Sequence, residues 1–137
     1  MPKIAFHWPS LIVSAIAIYA IGFLLYGLIF EEDWLIWTGY TREALAPESW
    51  RMALSPIMPL LLAAGIGAGL HWTKPADLGA ALGLAFVVWL LLLFPTRLYA
   101  WVYGDEPLGL LLLDGGHLLA NALVAAGIQH AWPKKAR

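Results

Sequence analysis

The sequence predicts an all-α polytopic membrane protein: a four-transmembrane-helix bundle with antiparallel neighbours and a short interfacial segment in the first loop. Three observations lead to this class. Of the 137 residues, 61% are hydrophobic and 12% charged, whereas about a quarter of the residues of a soluble domain are charged. Four apolar runs reach membrane-crossing length, since a helix needs roughly 20 residues to cross a hydrocarbon core about 30 Å thick. The eight tryptophans suit membrane–water boundaries, where an amphipathic ring is satisfied at both ends.

Composition also excludes. A chain without cysteine has no disulfide framework, thiolate metal site or thiol nucleophile. A net charge of −1 gives no basic field for nucleic acid. Phosphate loops, dinucleotide fingerprints and calcium loops are absent from the sequence, and Ser10, Ser14 and Ser55 lack the His and carboxylate neighbours that would mark a nucleophile. The expectation is a non-enzymatic protein without a cofactor, forming one domain over residues 1–137 whose first partner is the lipid bilayer.

The first span is expected at residues 8–30, an uncharged run that ends at Glu31-Glu32-Asp33. It is too long for a signal peptide and lacks a small-residue cleavage pattern, so it is expected to stay attached. In the loop from Glu31 to Arg51, Trp34, Leu35, Ile36, Trp37 and Tyr40 are interleaved with polar residues, which suits a segment lying among headgroups. Pro47-Glu48 has the form of a helix start. The second span is expected at 52–72, with its main irregularity between Met52 and Pro59, because Pro56 and Pro59 remove backbone donors. Thr73-Lys74-Pro75-Ala76-Asp77 only reverses the chain, so the third span, at 78–99, pairs with the second. Gly65 and Gly69 on one side of this turn and Gly79 and Gly83 on the other share the Gly-x-x-x-Gly spacing. Close backbone packing at these four glycines is therefore expected. Pro95, Arg97, Tyr99 and Trp101 then mark descent into the interface, Gly104 to Pro107 turns the chain, and the fourth span is expected at 108–132.

Lys3, Lys74, Lys134, Lys135 and Arg137 fall on one side of such a bundle. Arg42, Arg51 and Arg97 fall on the other, with most of the carboxylates. Positive-inside bias places both termini in the cytoplasm of a multi-pass inner-membrane protein, with the acidic first loop outside.

Two stretches carry a family likeness: Gly22-Phe23-Leu24-Leu25-Tyr26-Gly27-Leu28-Ile29-Phe30 with Trp34 downstream, and Leu113-Asp114-Gly115-Gly116-His117. Through them the chain resembles a family of small bacterial four-span membrane proteins, domain-of-unknown-function family seventeen sixty-one. Leu25 and Gly116-His117 depart from that family's pattern, which has an aromatic pair before the first-span glycine and often a tyrosine after the last-span Asp-x-Gly. The resemblance implies four helices and no known activity.

The residues that carry chemistry are in the last span. Asp114, His117 and Asn121 recur at i, i+3 and i+7, on one helix face, and polar groups in lipid look into protein. Asp114 lies about 9 Å along its helix, a depth that Arg97 shares from the third span, so an ion pair is expected between them. The alternative is a protonatable Asp114–His117 pair lining a pocket or proton path. Asn121 is expected to act as interhelical glue. His7, His71 and His130 sit beside tryptophans at span ends and are read as an interfacial belt rather than a metal or haem site. The function expected first is helix packing, as a homo-oligomer or an accessory subunit of a larger membrane complex. The alternative is a binder of an apolar small molecule or a proton-linked carrier, with its site at Asp114, His117 and Asn121.

Overall fold

The computed structural model describes residues 3–133; the basic tail Lys134, Lys135 and Arg137 lies outside them. Among the described residues the chain is all-helical, with no strand. Three helices are long and apolar enough to cross a membrane: α1 (Trp8–Ile29), α5 (Leu78–Gly104) and α6 (Leu108–Ala131). A fourth crossing exists if α3 (Arg42–Leu54) and α4 (Ile57–Thr73), bent by 41°, are one span. Between α1 and α3 lies a short helix, α2 (Glu31–Thr38).

Local chemistry sets the ends. The side chain of His7 accepts from the Ser10 N–H and Pro9 sits in the first turn of α1, where a missing donor costs nothing. At its far end α1 widens into a π-helical stretch, Phe23–Ile29, and the Phe30 N–H reaches back five residues to Leu25 O at 2.8 Å. Helix α2 follows with Glu31, Glu32 and Asp33 in its first turn, where carboxylates complement the helix dipole. It stops at Gly39 with φ +73°, a left-handed conformation that glycine adopts without strain. Thr41 caps α3, accepting from the Ala44 N–H at 3.2 Å, and α3 becomes a 3₁₀ helix from Ala46. Asp77 caps α5 through a 2.8 Å bond from the Ala80 N–H.

The expected second span is a regular α-helix only from Ile57, in α4, after the break at Ser55-Pro56. The third departs from the expected 78–99 by running on to Gly104. Pro95 does not end it, because the π-helical stretch Trp89–Leu93 precedes the proline and the Phe94 N–H bonds Trp89 O. The ladder has already changed register where the proline's missing donor would have broken it.

Helix α6 packs against α1, α4 and α5, and α1 also packs on α4. The core they share is made of small residues: Ala15 of α1, Ala63 of α4, Ala85 of α5, and Ala122, Ala125 and Ala126 of α6, with Leu11, Ile18 and Ile66 filling the spaces. Ser10 and Ser14 are buried on α1 as well, and Ser14 returns its hydroxyl to Ser10 O at 2.7 Å. Large apolar side chains cover the outside instead, including Ile16, Leu28, Leu61, Leu91 and Leu112, each more than 60% exposed.

The expected glycine seam is corrected. A Cβ at Gly65 or Gly83 would meet nothing within 4 Å, one at Gly69 would meet only Leu84 Cδ2 at 3.4 Å, and one at Gly79 would meet its own neighbour Asp77. Helices α4 and α5 touch little because α6 packs against both. The small-residue packing that sequence spacing assigned to the α4–α5 hairpin is instead made by the alanines of α6.

Candidate functional site

The site begins with the π-helical stretch of α1. Seven residues are wound there with the wider register, and Tyr26, in their midst, donates its hydroxyl to Asp114 Oδ1 on α6. The second π-helical stretch, on α5, addresses the same turn of α6: Trp89 Nε1 donates to Gly115 O at 2.8 Å. Phe94 lies over Gly115 so closely that an added Cβ would stand 2.9 Å from its ring. Both irregularities thus face the Asp114-Gly115 turn, and wide turns of this kind recur at functional sites.

Arg97, two residues after Pro95, holds the charged end. Its Nη2 lies 2.7 Å from Asp114 Oδ2 and 2.8 Å from Glu106 Oε2, so one guanidinium nitrogen serves two carboxylates. Side-chain exposure is 26% at Arg97 and Glu106 and 17% at Asp114, so Asp114 is the most buried of the three. Glu106 comes from the turn before α6, where Pro107 starts the helix with its carbonyl accepting the Leu110 N–H.

Inward of Asp114 the polar face continues. The His117 ring meets the Tyr26 ring edge-on, with centroids 5.0 Å apart, and Gly22 leaves the room: a Cβ there would lie 3.3 Å from His117 Nε2. His117 Nε2 and Asn121 Nδ2 are 3.0 Å apart, a bond that the amide donates when that ring nitrogen is unprotonated. Asn121 is 2% exposed. Its Oδ1 is buried without a hydrogen-bond partner, and so is Arg97 Nε.

The structure therefore brings Asp114, Arg97, His117 and Asn121 into one polar column, together with Tyr26, Glu106 and Trp89. Sequence reasoning had assigned these last three no role in the site. Glu106 was hidden in a turn, nine residues from Arg97 and beside a second carboxylate, Asp105, that the spacing could not tell from it. Tyr26 left no polar period on α1, because a lone hydroxyl among apolar residues resembles an interfacial ring. Gly65, Gly69, Gly79 and Gly83 lie away from the column. Of the histidines at span ends, His7 is an N-cap whose ring lies 5.8 Å from that of Trp132. Among the described residues no three His, Asp or Glu side chains converge as a metal site.

Chemically, the column can fasten α1, α5 and α6 together. No curated protein and no solved structure matches the chain significantly. The profile of the family described as "Protein of unknown function (DUF1761)" matches residues 10–129. With most of its length covered by that match, the chain belongs to the DUF1761 family of proteins of unknown function.

Proposed function

We propose that this is a non-enzymatic four-span membrane protein of the bacterial inner membrane that works by helix packing, as a homo-oligomer or as an accessory subunit of a larger membrane complex. One observation carries the reading: a core of alanine and serine lies inside a surface of large exposed apolar side chains. Packing of that kind suits lipid, where small residues let backbones approach and bulky ones face acyl chains. The charges within the apolar helices support the same reading, since Arg97 binds Asp114 and Glu106 and so joins α5 to α6. Partners would meet the outer apolar faces.

Gentle purification followed by native mass spectrometry tests this. The expected result is a defined oligomer or a reproducible partner subunit; a strict monomer with nothing bound would overturn the reading. Topology is checked separately by single cysteines, since the natural chain has none. Glu43→Cys is expected to react with an impermeant thiol reagent on intact cells, and Lys74→Cys only after permeabilisation. The reverse pattern would invert the orientation, and equal labelling of both on intact cells would contradict α3–α4 as a single crossing.

A further inference from the structure

We infer that Asp114 sets the helical register at the far end of α1, and through it the place where α2 docks, with Tyr26 as the latch between two registers. The first observation is that the wide stretch Phe23–Ile29 carries one residue more than an α-helix would hold. The Phe23 N–H bonds Tyr19 O, four residues back; the Phe30 N–H bonds Leu25 O, five back, and the Trp34 N–H bonds Phe30 O, four back again. Nothing local calls for the extra residue. On α5 the corresponding stretch ends two residues before Pro95, which has no donor to offer. Phe23 to Ile29 contains no proline, and its leucines favour a regular helix. None of the seven belongs to the buried core. Tyr26 is the one polar side chain among them, and it donates to Asp114 Oδ1.

The second observation is that α2 has no linker to absorb a change of register. It starts at Glu31, one residue after the stretch, so it turns with the chain before it. Closing the stretch as a regular α-helix rotates everything beyond it by about 100°, the angle of one residue. The third is that α2 docks at one tight point: Trp37 lies on Gly109 at the start of α6, where an added Cβ would run into the indole. A rotation of that size takes Trp37 off Gly109. With Tyr26 bound to Asp114 the stretch is held wide and α2 is docked; with that bond broken the stretch relaxes to α-helical winding and α2 is released. Packed helices change state by such discrete shifts rather than by gradual deformation. On α6 only the Tyr26 hydrogen bond has to break, because Arg97 holds Asp114 through its other oxygen. This goes beyond the packing reading, which requires a single register.

The test is double electron–electron resonance on the full-length purified protein. Spin labels go at Ile36→Cys on α2 and Tyr103→Cys on α5, both strongly exposed, in a chain with no cysteine of its own. The otherwise natural chain is expected to show one distance. Tyr26→Phe should bring in a second, displaced by at least about 5 Å, since side chains about 5 Å from a helix axis turn through about 100°. Asp114→Asn should keep the first distance, because the amide oxygen still accepts from Tyr26. Deleting Leu24 from the Tyr26→Phe chain should restore it, since one residue fewer lets the ladder close as an α-helix with α2 in its docked place. Where Tyr26→Phe alone fails to assemble, the same deletion is expected to recover assembly. An unchanged distance in Tyr26→Phe would overturn the proposal, and so would a deletion variant that does not fold or does not regain the first distance.

Discussion

Arg97→Gln is expected to destabilise the protein by about 2–3 kcal/mol, measured as unfolding in a mild detergent. Removing one partner of a buried ion pair typically costs about 3–5 kcal/mol, because the other charge is stranded. The expected cost lies at and below the bottom of that range, since the groups are not fully buried within the protein: Arg97 and Glu106 retain 26% side-chain exposure and Asp114 17%. The asymmetry is the informative part. Arg97→Gln leaves two carboxylates facing each other, whereas Asp114→Asn leaves Arg97 still bound to Glu106 at 2.8 Å and should cost about half as much. Neutralising all three groups together, by Arg97→Gln, Asp114→Asn and Glu106→Gln, should recover most of the stability. If Asp114→Asn proves the more damaging single change, Arg97 is not sharing its charge and Glu106 belongs to the surface.

Gly115→Leu is the second substitution expected to have a large effect, enough to prevent assembly of α5 on α6. Even the first added carbon would lie 2.9 Å from Phe94 Cε2 and 3.0 Å from Cδ2. The ring cannot simply swing away, because Phe94 lies tilted against Trp89 with ring centroids 5.1 Å apart, and the Trp89 indole donates to Gly115 O. Gly115→Ala should therefore cost about 1–3 kcal/mol, the usual range for overpacking, and the leucine more. Gly65→Ala and Gly83→Ala provide the contrast. Nothing lies within 4 Å of either new Cβ, and alanine favours a helix interior over glycine by about 1 kcal/mol. Both should be neutral or stabilising. Wild-type melting for Gly115→Ala would contradict the packing of Phe94 on α6.

The sequence by itself determined the helical class, the long apolar helices and most of their ends, because hydrophobic run length, caps and proline positions act over a few residues at a time. It also singled out Asp114, His117 and Asn121, since a polar group inside an apolar run stands out at any position and the i, i+3, i+7 spacing is local to one helix. Asp114 and Arg97 could be matched by depth alone.

Tertiary structure decided which helices are neighbours. Gly65, Gly69, Gly79 and Gly83 share their spacing across a short turn, yet α6 packs against both helices of that hairpin and takes the close contacts with Ala122, Ala125 and Ala126. Spacing reports which side chains share a face; it carries no information about which helix that face meets. Tyr26 and Glu106 joined the site for the same reason. Tyr26 is 88 residues from Asp114 and reaches it from a π-helical stretch, a change of register governed by packing rather than by any local residue pattern. Glu106 enters through its 2.8 Å contact with Arg97, which a turn makes and no helix period announces.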